Sequence, residues 1–261
     1  MTTYQTVARN HSHTSENRIH DDAVAQRYGF RGGLVPGVAV FGYMTRPLVE
    51  ALGPKWLGHG FVKTRFVKPA YDGELLSIEM HKREEGHFVT CFNQTGDLLA
   101  ELSLATPHVL PAPESLAMLA PATSRSHRVG ISNEAIEVGL PFAALRLTPD
   151  AEENRTYAER VNDDASIYRD GVMHPHLLLH WSNLALVQRY IMPAWIHVGS
   201  EMYLRRLLRV GDPIEIRAVP MEKWERKGHE LLKLYVAYLV NGTLATEVFH
   251  TAIYRVAPKD R

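Results

Sequence analysis

The chain has 261 residues, enough for one large domain or two of about 130. Lys and Arg total 29 and Asp and Glu total 29, so the net charge is zero with histidine neutral. That balance argues against a general nucleic-acid binder, which carries a basic excess. Hydrophobic content of 45% and charged content of 22% belong to a globular protein, not a disordered one. The single cysteine, Cys91, excludes an intrachain disulfide and Cys-rich metal sites.

The first twenty-two residues are polar and contain no apolar signal-peptide core. The longest nearly apolar run, 33–44, is too short to span a bilayer and reads as a buried helix. The expectation is therefore a cytoplasmic protein with no membrane partner. There are fourteen histidines, but none form a tight ligand pair on one helix face, so no metal is expected. His11 and His13 read as parts of a solvated loop.

In chain order, the two halves repeat one another. Pro36 lies 20 residues before Trp56, and Pro175 lies 20 before Trp195. Trp56 is followed by Gly60 and Gly73, and Trp195 by Gly199 and Gly211. Each Pro opens an apolar stretch of helical length, 37–52 and 176–191. Pro suits the first turn, where its missing N–H would find no partner. Both stretches are too apolar for surface helices, so each is expected to be wrapped by other elements. Strand-like runs follow at 61–68, 75–83, 87–93 and 98–106 in the first half. The second half offers 202–209, 213–224, 230–240 and 244–254. Both tryptophans read as packing residues. Pro107, Pro111, Pro113 and Pro121 mark an exposed crossing segment. The fold class expected is α+β: a tandem double hotdog, each half an antiparallel sheet around one long helix. Residues 1–110 and 136–261 form the halves, with 111–135 as linker. Such a chain pairs its own halves, which removes two open sheet edges.

The segment Ser15-Glu16-Asn17-Arg18-Ile19-His20 precedes the first long helix, with Gly29-Phe30 and Pro36-Gly37 beyond it. This resembles the MaoC-like hydratases and dehydratases. Their signature reads Asp-x-Asn-Pro-aliphatic-His, then Gly-Phe, then His-Gly at the helix start. Asn17, Ile19, His20, Gly29, Phe30 and Gly37 fall on matching positions. The resemblance implies hydration of a 2-enoyl thioester, or the reverse dehydration, without a cofactor. It implies coenzyme A or an acyl carrier protein as the acyl carrier, and a homodimer. His20 and Asn17 would then be catalytic, and the Gly37 N–H would bind the thioester oxygen. Ser15 stands where the signature has its Asp, Arg18 where it has Pro, and Pro36 where it has His. Asp22, with Glu16 and Asp21, is a nearby carboxylate able to substitute.

The second half aligns Asp163-Asp164-Ala165-Ser166-Ile167-Tyr168 with residues 15–20 and carries His174 before Pro175. Asp163, Tyr168 and His174 thus form an alternative acid–base set. Two other functions fit the same fold. One is a thioesterase using Glu50 on the first helix. The other is a non-catalytic acyl-binding protein, favoured by the loss of the signature Asp. Arg205, Arg206 and Arg209 read either as contacts for coenzyme A phosphates or as a solvated strand face.

Overall fold

A computed structural model describes residues 2–122 and 127–257, so 123–126 of the expected linker lie outside the described residues. The first half contains strand β1 (Thr2–Val7), the short helix α1 (Asp22–Arg27) and the long helix α2 (Gly37–Leu52). Strands β2 (Gly60–Phe66), β3 (Leu75–Arg83), β4 (Gly86–Asn93) and β5 (Leu98–Ala105) follow. After two short strands, β6 (Val129–Gly130) and β7 (Leu145–Leu147), come α3 (Ala151–Arg160), α4 (Ser166–Arg169) and the second long helix α5 (His176–Val187). The short strand β8 (Tyr190–Ile191) precedes β9 (Ile196–Leu204), β10 (Ile214–Arg226), β11 (His229–Val240) and β12 (Thr243–Arg255).

Ten strands form one sheet in the order β1-β3-β4-β5-β2-β9-β12-β11-β10-β7. All ladders in it are antiparallel. The order reads as the same five-strand pattern twice, joined where β2 pairs with β9. Gly199 permits that junction, because a Cβ there would lie 2.8 Å from the Thr64 carbonyl oxygen. Helix α2 packs on the first half of the sheet, α5 on the second, and the two helices touch. Trp56 and Trp195 are buried as expected.

Helix α2 contains Pro47, which has no N–H to offer the carbonyl of Tyr43 one turn earlier. The Tyr4 hydroxyl, on β1, donates to that carbonyl instead. Strand β1 was not expected from the polar N-terminus, yet it both extends the sheet and satisfies the helix. The second long helix is shorter than expected and ends at Val187. Tyr190 and Ile191 leave it to pair with Val129 and Gly130. The last strands also differ at their ends: β9 starts at Ile196, six residues before the expected 202. The segment before residue 123 runs over the outer face of the sheet, where Ala117 is buried against Tyr235 and Phe249. Among the described residues, no helix is long and apolar enough to cross a membrane.

Candidate active site

The segment before α1 is held from several sides. Arg18 to His20 make one turn of 3-10 helix with Asn17 at its N-cap. The Asn17 amide is fully committed. Its Oδ1 accepts the backbone N–H of Trp195 at 3.1 Å and that of Ile19 at 3.4 Å. Its Nδ2 donates to the Trp195 carbonyl at 3.0 Å and to His20 Nε2 at 3.2 Å. The Arg18 N–H adds a bond to the Pro193 carbonyl at 2.8 Å. A loop of the first half is thereby pinned to the second half just ahead of β9.

His20 Nδ1 lies 2.7 Å from the Leu34 carbonyl, which can only accept, so Nδ1 carries the proton. Burial holds the ring's pKa below its ordinary value, although the Leu34 carbonyl opposes that. The neutral ring therefore presents Nε2 as a lone pair. Gly33 is required beside it: a Cβ there would sit 2.2 Å from the His20 carbonyl oxygen.

His20 borders two cavities. The inner one, about 280 Å³, is mostly apolar, with Ile19, Leu34, Val40, Phe66 and Ile253 among its walls. Gly37 also lines it and packs against the Phe66 ring. Helix α2 has no side-chain cap, so its first N–H groups are free of intrahelical acceptors at that wall. The outer cavity is polar, with Asn10, His13, Arg18, Asp21, Asp22 and Asp72 around His20.

Of the sequence-derived candidates, Asn17, His20 and Gly37 meet at the inner cavity. Ser15 and Asp22 do not line it. The Ser15 hydroxyl donates to the Asn17 carbonyl at 3.2 Å. The Asp22 carboxylate accepts the Gly33 N–H at 2.7 Å and faces the polar side. Among the described residues around the inner cavity, none is Asp or Glu. Glu50 is exposed and pairs with Arg46 at 2.8 Å.

The second-half set lies elsewhere. Asp163 and His174 are fully buried and meet at 3.3 Å, Nε2 to Oδ2. His174 Nδ1 accepts the His176 N–H, and Asp163 Oδ1 accepts the Ala165 N–H. Asn154 binds the Tyr168 and Val172 carbonyls and the His174 N–H. The Tyr168 hydroxyl is buried beside Asp163, and burial together with that carboxylate drives its pKa up. Asp163 and Tyr168 border a separate groove and none of the three reaches the inner cavity. Two of the three arginines are paired with acids, Arg205 with Glu247 and Arg206 with Asp212 at 3.0 Å, while the Arg209 guanidinium donates to the Asp170 backbone carbonyl at 3.4 Å.

The structure adds residues that the sequence reading missed: Asn183 on α5, with Trp195 and His197 around the start of β9, on the far wall. The available signal was a run of polar residues, Ser182 and Asn183, inside an apolar helix.

No family model matches the chain. The peroxisomal multifunctional enzyme type 2 of Mus musculus is 31% identical over 99 residues. That match takes in 37% of this chain and only 13% of the mouse protein. Among solved structures, a MaoC domain protein dehydratase from Chloroflexus aurantiacus J-10-fl superposes with a TM-score of 0.63 at 13% identity, over 100% of this chain and 95% of that one. A Mycobacterium tuberculosis protein with a double hotdog fold gives 0.57 at 12% identity, over 97% and 95%. An oleoyl thioesterase from Lactobacillus plantarum gives 0.52 at 12%, over 99% and 98%. The chain thus has the α+β double hotdog fold that MaoC-like dehydratases share with thioesterases.

Proposed function

We propose that the protein is a hydro-lyase acting on an acyl thioester, adding water to a 2-enoyl chain or removing it from a 3-hydroxyacyl chain. The observation that carries this reading is His20: a neutral imidazole with Nδ1 anchored, Nε2 basic, at the rim of an apolar cavity beside an uncapped helix N-terminus. The acyl chain lies in the inner cavity. The thioester carbonyl oxygen accepts hydrogen bonds from the first N–H groups of α2, where the helix dipole favours negative charge. A water takes the place of the 3.2 Å Asn17 contact at Nε2. His20 removes its proton as the oxygen bonds to the β-carbon, and the electrons of the double bond move to the thioester oxygen. The imidazolium then returns that proton to the α-carbon as the carbonyl re-forms. Asn17 acts by holding the backbone of the His20 turn through its bonds to Ile19 and Trp195, and no carboxylate partner is needed in this scheme. The carrier is coenzyme A or an acyl carrier protein.

The experiment is incubation with crotonyl-coenzyme A, following loss of the conjugated enoyl absorbance and, separately, release of free thiol. Loss of absorbance without thiol is the expected result. Thiol release instead makes the protein a thioesterase and overturns the proposal. Binding with neither reaction leaves an acyl-binding protein, the second reading, which Ser15 in place of the signature's acid supports.

A further inference from the structure

The inner cavity has a closed end and an open one. Val40 on α2 is 3% exposed, whereas Val67, just after β2, is 40% exposed. His229, at the start of β11, is half-buried and also lines the cavity. Its Nδ1 accepts the Ala257 N–H at 2.9 Å, so in the neutral ring Nε2 carries the hydrogen. That N–H has no partner among the described residues and is not sealed off by protein. It is an unused donor at the cavity wall.

The β10–β11 hairpin continues outward from this donor to an exposed tip. Arg226 is the ladder partner of His229, so the two side chains share a face of the sheet. Leu231 lies two residues further in and pairs with Ile253, which lines the cavity, so the shared face is the cavity's own. Glu225 and Glu230 pair on the opposite face, where Glu230 is bound by Arg255. Lys227 and Gly228 make the turn, with φ of 52° and 74°. The same turn recurs at Asn241 and Gly242, φ 50° and 77°, with the residues it favours. Lysine has no such advantage there, so its charge needs another reason. The matching hairpin of the first half, β3 to β4, carries Glu84 and Glu85 at its tip instead. Among the described residues, neither the Arg226 nor the Lys227 side chain has an ion pair or hydrogen bond. Lys223 on the same hairpin is committed to the Asn133 and Ile136 carbonyls.

We infer that this hairpin recognises the phosphate of a phosphopantetheine arm. The order of groups along the hairpin matches the order along such an arm. Amide carbonyls follow the thioester and accept from His229 Nε2. The phosphate comes beyond them and is held by Arg226 and Lys227. The outer cavity offers the opposite charge, with Asp21, Asp22 and Asp72 around a single arginine, Arg18, and would repel a phosphate. The inference rests on the acyl-thioester reading and places the charged part of its carrier.

The test uses saturated butyryl thioesters, which cannot be hydrated, on pantetheine, 4′-phosphopantetheine and coenzyme A, by calorimetry on the whole protein. The two phosphorylated thioesters are expected to bind about tenfold more tightly than the pantetheine one, a difference of about 1.4 kcal/mol. That preference should shrink in high salt. Arg226→Gln combined with Lys227→Asn, which restores a favoured turn residue, should bring the phosphorylated thioesters down to the pantetheine value. Either order between those two supports the inference and separates the sources. Coenzyme A at least as tight points to the free cofactor, and coenzyme A weaker points to the arm of a carrier protein. If the pantetheine thioester binds as tightly as both, or the double variant keeps the preference, the inference fails. The hydro-lyase reading still stands in that case whenever crotonyl thioester is hydrated. If none of the three binds and crotonyl thioester is untouched, both fail together.

Discussion

His20 and Asn17 separate by what they touch. His20→Ala removes the proposed base and two hydrogen bonds, to the Leu34 carbonyl and the Asn17 amide. Activity should fall by about 10² to 10⁴-fold, as for other lost general bases. The melting temperature should fall only by several degrees, since each hydrogen bond contributes about 1 kcal/mol. Asn17→Ala leaves both backbone groups of Trp195 without their partner. It should therefore lower turnover and stability together, by about 2 kcal/mol or more in denaturant titration. Tyr168→Phe is the contrast. Its hydroxyl lies away from the inner cavity, so its removal should leave turnover unchanged. An inactive, folded Tyr168→Phe would move the chemistry to the second half. Burial lowers the His20 pKa, so the ring loses its proton on a pH rise to a point below the ordinary 6.5. The acid limb of kcat/KM should accordingly fall below pH 6.5. A limb above that value would assign the base to another group.

At the scale of elements, the Pro, Trp and Gly spacings were legible because each reports local backbone. Pro36 and Pro175 occupy the positions just before the two helices, and Gly73 and Gly211 take positive φ in matching turns. Strand β1 was not legible, because Thr2–Val7 is a mostly exposed edge with little apolar alternation. The end of α5 was not legible either, since its apolar run continues into residues that pair with a distant segment. The same contrast holds at the site. Asn17 and His20 belong to a short local motif. The far wall depends on a bulge and on a helix from the same half, which only the sheet register brings together. The Tyr4 bond to the Tyr43 carbonyl yields a prediction about β1. Tyr4→Phe should cost about 1–3 kcal/mol in urea unfolding, by leaving a helix carbonyl buried and unpaired. An unchanged midpoint would mean that Pro47 is accommodated in some other way.

Across the whole molecule, the buried histidines set the response to acid. Burial lowers His176 and His197 well below the ordinary value, His180 to about 4 and His250 to about 3. Below pH 6.5 the unfolded chain takes protons that these folded rings refuse. Stability should therefore be full above about pH 7 and fall with acid from about 6.5, by up to about 1.4 kcal/mol per pH unit for each such ring. Melting temperatures measured from pH 8 to pH 5 should drop steeply over the lower half of that range. A flat profile would mean that the folded rings take up protons as readily as the unfolded chain does.

The Asn17–Trp195 clamp also bears on ancestry and on how the chain can be divided. The two halves look like copies of one ancestral unit, yet the first copy now orients its histidine with a backbone supplied by the second. Such borrowing makes the first half depend on the second for the geometry of its own histidine turn. A gene cut within the segment 107–122 should yield two pieces that are inert apart. Co-expressed, they should recover activity, because the β2–β9 ladder and this clamp rebuild one from the other.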